Sequence, residues 1–99
     1  MNKSKLVRDK IPEIIESKGE EADFHVANDK EYLEKLREKL HEEVDEFLKT
    51  EEMEELADIL EVIYAICDLK EFRRERLEKL RKEKVEERGA FKERMILEE

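Results

Sequence analysis

The stretch from Leu40 to Cys67, LHEEVDEFLKTEEMEELADILEVIYAIC, holds two carboxylate pairs at i,i+3 spacing, Glu43 with Glu46 and Glu55 with Asp58. Residues three apart share a helix face, so two helices folded together by a short turn near Lys49 to Glu51 would bring the pairs face to face. Several oxygen ligands in one pocket suit Mg2+, with Mn2+ as the alternative, rather than Zn2+. In a chain with 30 acidic residues such pairs also arise by chance. Glu55 tips the balance, because at 100° per residue it projects between Val62 and Ile66 inside an apolar sector, with Asp58 at its edge. A carboxylate aimed into a core is costly unless something cationic meets it. Protein nucleophiles are not evident: Cys67 sits on an apolar helix, and no Ser or Thr has a base at useful spacing. His25 and His41 read as polar surface residues.

Those carboxylates need elements to carry them. Asn28 followed by Glu31 resembles a capping box, and it opens a long helix with the apolar stripe Leu33, Leu36, Leu40, Val44 and Phe47. The next helix, from Met53 to Cys67, is apolar around most of its circumference, leaving Glu54, Glu61 and Asp68 as its polar arc. Before these two, Asp9 is expected to cap a short helix with Pro12 in its first turn and Gly19 at its end, followed by an extended linker over residues 20–27. After them, Phe72, Leu77, Leu80 and Val85 mark a narrow stripe on a charged fourth helix that stops at Gly89. Phe91, Met95, Ile96 and Leu97 make the tail too apolar to hang free, so it is expected to dock. The fold class that follows is all-α, one domain over residues 1–99, with four helices in an antiparallel bundle and short extended ends.

Composition narrows the partners. With 52% charged residues, a net charge of −9 and 99 residues, the chain builds one modest core and disfavours nucleic acid and anionic membrane. The absence of an 18-residue apolar run and of a signal-peptide h-region, with one cysteine, predicts a cytoplasmic protein. The third helix has more apolar surface than its neighbours can cover. A homodimer burying Ile59, Ile63, Tyr64 or Ile66 is therefore expected.

Glu42-Glu43-x-x-Glu46, and after an eight-residue spacer Glu55-x-x-Asp58, resembles the EExxE…ExxD signature of the all-α nucleoside triphosphate pyrophosphohydrolase superfamily, which includes MazG. The spacer is shorter than in many members. KLVRDKIPEII, Lys5 to Ile15, and ERGAFKERMIL, Glu87 to Leu97, are similar to the ends of the phosphoribosyl-ATP pyrophosphohydrolase-like branch, so the likeness spans nearly the whole chain.

The resemblance implies Mg2+-dependent hydrolysis of a nucleoside triphosphate, or a similar nucleotide, to the monophosphate and pyrophosphate, in the house-cleaning of non-canonical nucleotides. A triphosphate carries about four negative charges, and a carboxylate cluster repels it unless divalent cations bridge the two. By the same likeness Glu43, Glu46, Glu55 and Asp58 are the metal ligands, with Glu42 placed to hold a second ion or orient the attacking water. The phosphates need positive partners, for which Lys5, Arg8 and Lys10 at the start and Arg88, Lys92 and Arg94 at the finish are candidates. Two other readings stay open. One is phosphoribosyl-ATP hydrolysis in histidine biosynthesis, and the other is a non-catalytic acidic helical module that binds a metal or a partner.

Overall fold

The computed structural model describes residues 4–98, which form four helices and no strand. The class is all-α. Helix α1 spans Ile11–Ser17, α2 Asp29–Thr50, α3 Met53–Leu69 and α4 Arg74–Arg88. Only α2 and α3 pack along their length, as a hairpin turned by residues 51 and 52. Glu51 takes the left-handed conformation there (φ 55°), its N–H donating to the Phe47 carbonyl at 2.7 Å, and the Glu52 N–H then donates to Thr50 Oγ1 at 3.2 Å.

The start of α2 follows the sequence closely. Asn28 is its N-cap, accepting from the Glu31 N–H through Oδ1 at 2.9 Å. The reciprocal half of a capping box is missing, because the Glu31 carboxylate turns to His25 Nε2, 2.9 Å from both of its oxygens. Asn28→Ala removes the only partner of that orphan N–H and is expected to cost about 1 kcal/mol, read as a lower urea midpoint at unchanged slope.

At α1, Pro12 occupies the first turn and Gly19 (φ +85°) follows the end, as expected. The capping differs. Lys10, not Asp9, is the N-cap, with no side-chain cap, and the turn closes instead through the Ile11 N–H donating to the Arg8 carbonyl at 3.0 Å. Residues 20–27 are irregular. Helix α4 stops at Gly89, whose positive φ of 84° an ordinary side chain would strain. On its charged face Glu78 pairs with Arg81 at 2.6 Å.

Burial is sparse. Leu36, Val62 and Cys67 are the buried apolar residues, on the α2–α3 seam and beneath it, while Ile11 and Ile14 of α1 share a cleft with Leu36, Val62 and Ala65. Leu60, Ile63 and Tyr64 of α3 line a second cleft with Leu77 of α4, and Arg74 stacks over the Tyr64 ring at 4.2 Å. The tail does not dock on its own chain: Phe91, Met95, Ile96 and Leu97 are all exposed, Phe91 at 97%. The stripe residues Leu77, Leu80 and Val85 of α4 are themselves exposed, so the tail and the α4 stripe are left in water together.

The dimensions agree with this open packing. The radius of gyration is 17.5 Å, against about 13 Å for a compact chain of this length. Its accessible surface is 9575 Å², where a folded monomer of this mass would expose roughly 6,000 Å².

Candidate metal centre

Glu43 leaves α2 on the side that faces α3, one turn beyond the Leu36 and Leu40 stripe, and is 92% hidden from solvent (8% exposed). Glu55 and Asp58 leave the first two turns of α3 toward it. One carboxylate oxygen from each of the three lies within 4.8 Å of the other two. Neighbouring oxygens around Mg2+ sit about 3 Å apart, and opposite ones about 4 Å, given metal–oxygen distances of about 2.0–2.1 Å. Small rotations of half-buried side chains therefore suffice to converge the three on one ion, and an all-oxygen, anionic donor set fits a hard divalent cation.

Glu46 stands at the rim of this group. It lies outside the triad but close enough to act electrostatically on Glu55. Partial burial, followed by the charges of Asp58, Glu46, Glu43 and Glu54, raises the Glu55 carboxyl above the usual carboxylate range. Among the described residues no cation pairs with Glu55. Its neighbours are better supplied. Asp58 accepts from Arg8 Nη2 at 2.6 Å, Glu43 faces Lys39 Nζ at 3.3 Å, and Glu42 shares Lys39 at 3.5 Å with Lys5 at 4.0 Å.

A carboxyl whose folded pKa is raised is tolerated while protonated, and it costs stability as pH climbs through that pKa. The sign is fixed by the direction of the shift. Glu55→Gln is therefore expected to raise the melting temperature of the metal-free protein, with the gain shrinking as pH falls and the wild-type carboxyl takes up its proton. An equal shift at every pH would show that Glu55 is not under this strain.

A cleft of about 810 Å³ opens beside the triad. Lys5, Arg8, Lys10 and Lys39 line it together with Glu43 and Asp58, and Tyr32, Asp9 and Asp68 line it beside apolar residues such as Leu36 and Val62. Burial, then Asp9 and Asp68, pushes the Tyr32 hydroxyl up, so it stays protonated as a hydrogen-bond donor. Such a volume suits a nucleotide-sized ligand.

The candidate residues thus separate by position. Glu43, Glu55 and Asp58 converge, Glu42 and Glu46 flank them, and Lys5, Arg8 and Lys10 stand at the cleft. Arg88 closes α4, and Arg94 (φ 56°) lies in the exposed tail; neither lines this cleft. Lys39 was not singled out by motif, although its i,i+4 spacing to Glu43 is the signal that places it. The Glu-x-x-His formed by Glu38 and His41 takes no part in the triad, since His41 is exposed and Glu38 pairs with Lys35 at 3.4 Å. His41 is the solvent-side residue expected, and Cys67 is buried.

Compared with protein-family models, with curated proteins and with solved structures, the chain matches none. The class of site is defined by its own geometry: a carboxylate triad between two antiparallel helices, with basic residues on the rim of an adjoining cleft. No described helix is long and apolar enough to cross a membrane.

Proposed function

We propose that this protein is a divalent-metal-dependent nucleotide pyrophosphohydrolase, cleaving a nucleoside triphosphate or a similar nucleotide to the monophosphate and pyrophosphate. The observation that carries the reading is the convergence of Glu43, Glu55 and Asp58, brought from two helices to within 4.8 Å of one another where unpaired carboxylates would repel. Glu43, Glu55 and Asp58 would hold Mg2+ or Mn2+, with Glu46 at the edge of the same group. Bound there, the ion would neutralise phosphate charge and acidify a water. The chain's own residues supply the rest. Glu42, steadied by Lys39 and Lys5, is positioned to accept a proton from an attacking water, and Arg8, Lys5 and Lys10 offer donors to phosphate oxygens. The apolar lining of the cleft, with Tyr32, takes the less polar part of the nucleotide.

The test is release of pyrophosphate from a panel of ordinary, deoxy and oxidised nucleoside triphosphates, with phosphoribosyl-ATP included, in Mg2+ and in EDTA. Release in Mg2+ alone supports the proposal, and the preferred substrate separates house-cleaning from histidine biosynthesis. Metal binding without turnover on any substrate would leave the non-catalytic metal-binding module.

We further propose that the working form is a homodimer, or a tetramer built from it. What supports this is surface: 9575 Å² exposed on a 12.0 kDa chain, with Leu56, Leu60 and the whole apolar tail in water. A second copy packed on α3 and α4 would bury the same patch on both subunits. It would also bring a second pair of basic termini, Arg88 and Arg94, within range of a neighbouring cleft.

A further inference from the structure

We propose that Arg8 is an exchangeable counter-ion of the carboxylate triad: divalent metal displaces its guanidinium from Asp58, loosens the segment over residues 4–10, and leaves Arg8 to grip a phosphate. This rests on the metal-dependent reading of the site. The observations are the unequal attachments of the cations that neutralise the cluster. Lys39 is on the same helix as Glu43, one turn away, with its side chain only 19% exposed, so it stays beside Glu43 whatever else binds. Arg8 comes from a segment fifty residues away in sequence and reaches Asp58 at 2.6 Å with more than half of its side chain in solvent.

The segment that carries Arg8 is tied to α1 by the Ile11 N–H donating to the Arg8 carbonyl at 3.0 Å, and Leu6 and Val7 line the cleft, but its polar ties to α2 are long. Lys35 Nζ donates to the Ser4 carbonyl at 3.1 Å, Lys5 reaches Glu42 only at 4.0 Å, and residues 4–8 have no regular secondary structure. An ion pair between two partly exposed groups is weak. A divalent ion carries twice the charge of the guanidinium and is met by three carboxylates rather than one, so it outcompetes Arg8 for Asp58. The displaced guanidinium remains at the mouth of the cleft that Arg8 lines. There its fork of donors matches two oxygens of a phosphate held in the cleft. In the metal-free protein the same group protects the triad from its own repulsion. Arg8 would thus serve the site twice, as internal cation before metal arrives and as substrate clamp afterwards.

The experiment measures Mn2+ affinity by electron paramagnetic resonance on the full chain without nucleotide, comparing wild type with Arg8→Gln and Arg8→Lys, alongside amide hydrogen exchange with and without Mn2+. Arg8→Gln is expected to bind Mn2+ two- to five-fold more tightly, the scale of one partly exposed ion pair, with Arg8→Lys in between. Mn2+ is expected to speed exchange at the Ile11 amide of the wild type, which donates to the Arg8 carbonyl at 3.0 Å, while slowing it along the α2–α3 hairpin. Tripolyphosphate, as the phosphate probe, should bind Mn2+-loaded Arg8→Gln at least ten-fold more weakly than loaded wild type. Unchanged or weaker Mn2+ binding in Arg8→Gln, or no metal-dependent exchange at the Ile11 amide, overturns the displacement of Arg8 while leaving the metal site standing. Wild type that binds no Mn2+ at millimolar concentration overturns the metal reading itself, and this proposal with it. Circular dichroism separates these results from misfolding, and Arg8→Lys, which keeps the charge, is the second variant should Arg8→Gln be unstable.

Discussion

Glu55→Gln and Asp58→Asn are each expected to lower Mg2+-dependent pyrophosphate release by 100-fold or more, on the order of the loss seen when a metal's immediate surroundings are broken, while the helices stay folded. Both residues sit on the first two turns of α3 and are only half-buried, so neither amide disturbs a packed core. What changes is charge. The triad drops from three negative groups to two, and an ion that prefers ionised oxygen ligands loses one of them. The two variants differ in a second property. Glu55 has no cationic partner among the described residues, so its neutralisation relieves repulsion and stabilises the metal-free protein. Asp58 holds Arg8 at 2.6 Å, so its neutralisation forfeits that pair and gives no such gain. Turnover assays with a Mg2+ titration, run beside thermal melts in EDTA, check both halves. Activity retained in either variant at saturating Mg2+ would remove that residue from the ligand set.

If the proposed dimer forms, Ile63→Glu is expected to dissociate it into 12.0 kDa chains or to unfold it. Ile63 lines the cleft between α3 and α4 with Leu60, Tyr64 and Leu77, at the place where one chain leaves its third helix incompletely covered. Among the described residues Leu36, Val62 and Cys67 are the buried apolar ones, and Leu56, Leu60 and the tail keep apolar surface in water. Association that hides the remaining apolar faces of α3, α4 and the tail would bury that surface. A carboxylate at residue 63 would have to be desolvated at that contact, at a cost of several kcal/mol. Light scattering and sedimentation at micromolar concentration provide the check. A wild type that is monomeric, folded and fully active would refute the assembly.

Much of the architecture was legible before any coordinates. Asn28 as the cap of α2, Pro12 and Gly19 at the two ends of α1, Gly89 closing α4 and the apolar periodicity of α3 are local signals, each set by backbone sterics or helix-end hydrogen bonding within a few residues. The pairing of Glu43 with Glu55 and Asp58 was legible for a similar reason. Helical periodicity aims both i,i+3 pairs inward, and a two-residue turn leaves the hairpin little freedom to misalign them. Tertiary structure decided what depends on distance across the chain. It left Glu46 beside the triad rather than within it, and it seated Arg8 on Asp58 fifty residues away. It also left the tail in water although its composition is apolar, because docking needs a complementary surface that the fold must position, and composition alone does not place one. Spacing fixes which side chains share a helix face; which cation neutralises which carboxylate is a competition among all charges within a few ångströms, and only the folded chain sets those distances.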